Sequence, residues 1–311
     1  MTGALRVVAR CQVADDVLAV TLADPHGDRL PPWTPGAHLD LLLPTGLVRQ
    51  YSLCGDRWDG HHYRIAVLRV IDGRGGSAWI HDHLREGDVL PFGGPRNHFP
   101  MAPSTRYLFV AGGIGITPLL PMIDQAVRSE RPWRLLYGGR RRTSMAFLDR
   151  LEALGGQVEV AAQDEVGVPD VAAWLGAPDP GATVYGCGPA GLLDATAAAC
   201  AQWRPQALRT ERFVAEVQDR AEDHPFTVVL RRSGTRLRID PGTSVLDGLR
   251  DAGVAVLTSC RQGTCGTCEV AVLDGLPDHR DSVLDAVDRE AGDSMMVCVS
   301  RARTDSLTLD L

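Results

Sequence analysis

The sequence predicts a multidomain chain: an antiparallel β-barrel, then a doubly wound α/β domain, then a small α+β domain of β-grasp type. Three observations predict it. Residues 1–101 carry short β-rich runs broken by Pro and Gly, with one short helix. Residues 102–215 alternate strand, glycine turn and helix. Residues 225–311 gather four cysteines among short strands and one helix. A chain of 311 residues is also too long for one ordinary core, since domains usually run ~100–200 residues.

Composition narrows the function classes. No stretch approaches the ~18 consecutive apolar residues that cross a bilayer, and Met1-Thr2-Gly3-Ala4-Leu5-Arg6 lacks the apolar region of a secretory signal. The expectation is a cytoplasmic protein without a membrane partner. A net charge of −7 with scattered cations argues against nucleic acid and for small molecules and proteins as partners. The sequence contains no lysine, so any phosphate must be held by arginine forks, backbone amides or hydroxyls.

In the first domain, Val17 to Leu22, His38 to Leu43 and His62 to Val70 read as strands, and Ser77 to Leu84 as the short helix. Within it stands Arg49-Gln50-Tyr51-Ser52-Leu53. An arginine and an aromatic two apart on a strand point to the same side, so one can grip a phosphate while the other lies against a planar ring. Gly73-Arg74-Gly75-Gly76-Ser77 opens the helix.

In the second domain, Tyr107 to Ala111 is a short apolar run suited to a buried parallel strand, followed by Gly112-Gly113-Ile114-Gly115-Ile116-Thr117-Pro118. This reads as a phosphate turn feeding a helix, with Thr117 as N-cap and Pro118 in the first turn. Further units follow: a strand at Arg134 to Tyr137 with a helix at Met145 to Leu154, and a strand at Thr183 to Tyr185, the turn Gly186-Cys187-Gly188-Pro189 and a helix at Ala190 to Cys200. Ligands in such sheets bind beyond the carboxyl ends of the strands. Cys187 reads either as a small buried strand-end residue or as a contact to a nicotinamide.

A charged stretch at 216–224, with Glu216, Asp219, Glu222 and Asp223, reads as a linker. Beyond it, Phe226 to Leu230 and Thr235 to Ile239 read as strands, Ser244 to Ala252 as a helix and Glu269 to Leu273 as a strand. Cys260, Cys265 and Cys268 leave gaps of four and two residues before the distant Cys298, the plant-type spacing for a 2Fe-2S cluster. Gly263 and Gly266 let the backbone approach the sulfurs. The alternative, a zinc site, usually pairs two short cysteine or histidine hairpins, and the second half here offers one cysteine.

Taken in order, these motifs resemble the phthalate dioxygenase reductase family, including the vanillate demethylase reductases, within the wider ferredoxin-NADP reductase superfamily. The resemblance covers nearly the whole chain. It implies a reductase component that passes electrons from NADH through FMN and the 2Fe-2S cluster to a Rieske-type terminal oxygenase. By the same resemblance, Arg49 meets the flavin phosphate, Tyr51 packs on the ring, Ser52 and Leu53 face its reactive edge, and Ala66 and Val67 line it. Gly75, Gly76 and Ser77 cradle the phosphate. Gly113, Ile114, Gly115, Thr117, Pro118, Cys187, Gly188 and Pro189 serve the nicotinamide cofactor. Phe213 is either the aromatic that closes the flavin face or a core phenylalanine.

Arg140-Arg141-Arg142 departs from the family expectation. Arginine there would suit a 2′-phosphate and hence NADPH, or it forms a solvated surface turn. The alternatives are an FAD-containing or NADPH-using reductase serving a haem-thiolate monooxygenase, and a redox carrier or sensor without turnover. Between Glu269 and Asp293 eight acidic residues face two arginines, a formal −6 that would steer a basic partner or simply solvate the surface.

Overall fold

The computed structural model describes residues 3–214 and 223–311. The chain divides into two compact units, Met1–Glu211 and Arg212–Leu311.

The first unit opens with β1 (Gly3–Ala14), β2 (Val17–Ala23), β3 (His38–Leu42), β4 (Val48–Ser52), β5 (His62–Leu68), helix α1 (Gly76–Asp82) and β6 (Val89–Arg96). These strands form one barrel-like sheet in the order β4-β3-β6-β1-β2-β5, antiparallel throughout. Alternation along each strand sends Leu18, Val20 and Leu22, Leu39 and Leu41, Ile65 and Val67, and Leu90 and Phe92 into one apolar core. Burial of each such side chain is worth about 1.5–3 kcal/mol. Neither β1 nor β6 was anticipated. In β1, Arg6, Arg10 and Gln12 hide the pattern; in β6, Pro91, Gly93, Gly94 and Pro95 read as turn residues.

The same unit continues with β7 (Arg106–Gly112), α2 (Ile116–Arg128), β8 (Trp133–Gly139), α3 (Leu148–Glu152), β9 (Val158–Ala162), α4 (Gln163–Val166), α5 (Val171–Leu175), β10 (Ala182–Cys187), α6 (Ala190–Ala199) and β11 (Leu208–Glu211). The sheet order is β11-β10-β7-β8-β9, parallel throughout, with helices on both faces. One core joins this half to the barrel: Val17, Ala19, Cys54 and Ala66 pack with Phe109, Ile116, Met145, Phe147 and Cys187.

Two expectations are corrected here. Thr117 is not an N-cap. The helix starts at Ile116 with Gly115 in the cap position, and the Thr117 hydroxyl donates to the Ile114 carbonyl at 2.9 Å. The helix expected from Met145 begins only at Leu148. Met145 packs over Gly139, and Phe147 takes a left-handed backbone at φ 63°, so tertiary contacts override helix propensity in this turn.

The second unit contains β12 (Phe226–Leu230), β13 (Arg236–Ile239), α7 (Val245–Asp251), β14 (Glu269–Asp274), β15 (Pro277–Asp278), α8 (Ala286–Ala291), β16 (Ser294–Met296), β17 (Arg301–Ala302) and β18 (Ser306–Leu309). Its main sheet runs β13-β12-β18-β14-β16, with β12 and β18 parallel. Phe226, Val228, Leu246, Leu249, Val270, Leu307 and Leu309 form a separate core. Ser244 caps α7 by accepting from the Asp247 amide at 3.1 Å. Residues 216–222 of the expected linker lie outside the described residues; Asp223 is paired with Arg280 at 2.7 Å. No helix among the described residues is long and apolar enough to cross a membrane.

Candidate functional site

Arg49 and Tyr51 stand two apart on β4, both partly buried, with Tyr51 packed on the barrel core. The Arg49 guanidinium donates to the carbonyls of Val48 at 2.8 Å and Arg74 at 2.9 Å. It lies across Gly76, where an added Cβ would come within 2.5 Å of Nε. A side chain at that position would evict the arginine. Gly75 takes a left-handed backbone at φ 79° to start α1, and Ser77 Oγ accepts from the Val70 amide at 3.1 Å. Burial, then the neighbouring Arg74, pulls the Arg49 pKa down, and burial pushes the Tyr51 phenol up. An arginine laid over a glycine corner fits a phosphate, and the aromatic beside it fits a planar ring.

Ser52 and Leu53 are buried where β4 ends. Ala66 and Val67 alternate on β5: Val67 points into the barrel core and Ala66 into the shared core. Their side chains therefore cannot line one ligand together.

The two glycine turns of the parallel sheet meet backbone on backbone. A Cβ on Gly115 would collide with the Cys187 carbonyl, and one on Gly112 would stand 2.5 Å from Pro189 Cδ. Gly113, Ile114 and Gly115 form a 3₁₀ turn that joins the end of β7 to α2, and Gly188 and Pro189 follow β10 beside it. Thr117 and Pro118 are buried in the first turn of α2 and support this corner from behind. Arg140 is exposed past the end of β8. Arg142 pairs with Glu152, which takes one of the three cations out of that run.

Sequence reasoning missed Glu211. It sits at the end of β11 in register with Cys187, and its Oε2 is buried with no hydrogen-bond partner. Burial pushes its pKa up to about 8. Cys187 is fully buried, and its thiol is raised by burial and then by Glu211. A proton-holding carboxyl thus stands beside the thiol at the carboxyl edge of the sheet. Phe213 is 41% exposed, which overturns its reading as a core phenylalanine.

In the second unit Cys260, Cys265, Cys268 and Cys298 are all buried. Their thiols pair: Cys260 hydrogen-bonds Cys265, Cys268 hydrogen-bonds Cys298, and Cys260 also meets Cys298. These bonds pull Cys260 and Cys268 toward thiolate and push Cys265 and Cys298 up. The Gln262 amide points at Cys260 Sγ at 3.3 Å and the Thr267 amide at Cys265 Sγ at 3.5 Å. Among the described residues no group of three or more His, Cys, Asp or Glu is arranged around a single metal ion. Four buried sulfurs, two of them met by backbone amides, suit the thiolate set of a 2Fe-2S cluster.

Part of the acidic stretch is engaged within the unit. Asp278 binds Arg280, Asp281 is buried, and Asp285 and Asp288 form the capping box of α8. Glu269, Asp274, Asp285, Asp288, Glu290 and Asp293 are exposed.

Fold and site together define a modular NAD-dependent oxidoreductase with an iron–sulfur domain. Residues 109–198 match the oxidoreductase NAD-binding domain, and residues 228–303 match the 2Fe-2S iron-sulfur cluster binding domain. The chain is 45% identical over 310 residues to the phenoxybenzoate dioxygenase subunit beta of Ectopseudomonas oleovorans, covering 99% of this chain and 97% of that one. A solved phthalate dioxygenase reductase, described as a modular structure for electron transfer from pyridine nucleotides to [2Fe-2S], superposes at TM-score 0.72 with 39% identity, covering 99% and 97%. An intact type IV self-sufficient cytochrome P450 monooxygenase superposes at TM-score 0.94 with 44% identity. This chain covers 99% of itself but spans only 41% of that protein. The chain belongs to the phthalate dioxygenase reductase family.

Proposed function

We propose that the protein is the reductase component of a multicomponent oxygenase or demethylase, working in the reducing cytoplasm with NADH, FMN and a 2Fe-2S cluster, and that its acceptor is a Rieske-type terminal oxygenase. The observation that carries the reading is the set of four buried cysteines, two of them met by backbone amides, in a chain that also holds an arginine–glycine corner and a double glycine turn. When bound, the flavin takes a hydride and the cluster passes single electrons, so the pair converts two-electron to one-electron chemistry.

The chain's own residues position these groups. Arg49, with Gly75, Gly76 and Ser77, holds the flavin phosphate. Tyr51 lies along the ring, and Ser52 and Leu53 face its edge. Gly113 to Gly115 and Cys187 to Pro189 seat the nicotinamide cofactor, and Arg140 stands at its adenosine end. Glu211 holds a proton beside Cys187 and keeps uncompensated negative charge away from that seat at neutral pH. Cys260, Cys265, Cys268 and Cys298 hold the irons.

Anaerobic titration followed by visible absorbance tests this. NADH should bleach flavin and cluster at stoichiometric amounts, and NADPH should require a large excess. A purified, iron-reconstituted protein that stays colourless overturns the reading. Chromatography of the heat-released flavin should give FMN; FAD would overturn that part. The superposition on the P450 protein favours a second reading, in which the acceptor is a haem-thiolate monooxygenase. Reduction rates with purified acceptors of each kind separate the two.

A further inference from the structure

Between β15 and α8 the chain forms a strap against the cysteine loop. The Ser282 amide donates to the Gly263 carbonyl at 2.8 Å, and the Arg280 amide donates to Ser300 Oγ at 3.2 Å, two residues past Cys298. Gly263 has φ +70°, and a Cβ there would stand 3.0 Å from Asp281 Cα and 2.6 Å from Val299 Cγ2. The strap therefore touches both chain segments that carry the cysteines. Asp281 sets its shape. Oδ1 accepts from the amides of Val283 at 2.9 Å and Leu284 at 2.8 Å, and its main-chain carbonyl accepts from the Arg289 guanidinium.

The second carboxylate oxygen is unused. Asp281 is 2% exposed, and Oδ2 has no hydrogen-bond partner. His279 Nδ1 stands 3.9 Å away, beyond hydrogen-bond range, and both ring nitrogens of that buried histidine are also unpartnered. Burial pushes the His279 pKa down, so the imidazole is uncharged at neutral pH, and the cation that meets Asp281 is the Arg289 guanidinium, on its main-chain carbonyl rather than on Oδ2. Leaving such a group unsatisfied forfeits its hydration without a compensating hydrogen bond. Turn closure alone does not explain that loss, because an asparagine would accept the same two amides without a charge.

We infer that Asp281 is a positioning residue for the iron–sulfur centre that also tunes it: its peptide holds the Gly263 corner of the cysteine loop, and its buried carboxylate fixes a negative charge behind that loop. The inference rests on the reading that the four cysteines hold a cluster. A fixed negative charge in a poorly screened interior opposes the arrival of an electron and keeps the reduction potential low.

The test uses the full-length, reconstituted protein. The D281N variant should retain iron, and dye-mediated redox titration should show its cluster potential moved to less negative values, with the flavin potentials unmoved. D293N, which removes an exposed and screened charge, should leave the cluster potential where it was. D281A, which removes both acceptor atoms, should lose iron faster than wild type at unchanged flavin content. A D281N potential equal to that of wild type overturns the tuning claim, as does loss of iron from D281N as fast as from D281A. An equal iron lifetime in D281A and wild type overturns the positioning claim. Wild-type protein that binds neither flavin nor iron is a different failure, that of the functional reading itself.

Discussion

Gly76 and Gly115 are steric requirements rather than flexible points, because each lies where another group already occupies the space of a side chain. G76A should displace the Arg49 guanidinium and lower bound flavin several-fold, read as flavin absorbance per protein. G115A forces apart two backbones and should cost about 1–3 kcal/mol in urea unfolding. Glu211 makes a pH prediction. Below the ordinary carboxylate value of 4.5 the group is neutral in both folded and unfolded states. Above it the unfolded chain ionises while the folded one stays protonated up to about 8, so stability falls across that window and levels off beyond it. E211Q should remove a decline on the order of 2 kcal/mol between pH 5 and 8; a variant that declines in parallel with wild type rejects the assignment. The cysteines and glycine turns were legible in the sequence because their meaning lies in local spacing. Glu211 was not, because its burial arises from the pairing of β11 with β10, which no spacing announces.

At the scale of elements, the parallel strands were readable as short apolar runs, since both their faces are covered. The strands β1 and β6 were not, because one carries charges on its open face and the other carries turn residues in its ladder. The late start of α3 follows from Phe147 being held by the shared core, a contact between residues distant in sequence. The capping box of α8 joins Asp285 to the amides of Val287 and Asp288. D285A should cost about 1 kcal/mol in the unfolding of the second unit, monitored by the loss of cluster absorbance in denaturant. An unchanged midpoint would mean that α8 contributes nothing to that unit's cooperativity.

For the whole molecule, two units with separate cores predict two unfolding transitions in calorimetry, of which only one should move when iron is chelated. A single transition that shifts as a whole would show the units to be energetically coupled. Charge acts at the same scale. With six of the eight acids of the 269–293 stretch exposed, raising ionic strength should slow electron delivery to the acceptor, and a salt-independent second-order rate would remove electrostatic steering altogether.

The core shared by the barrel and the parallel sheet bears on any attempt to recombine parts between relatives. A chimera that exchanges residues 102–211 to alter donor preference would inherit a mismatched seam at Val17, Ala19, Cys54 and Ala66. These four positions must travel with the transplanted half, and a crossover drawn at the loop alone would yield protein that precipitates on expression.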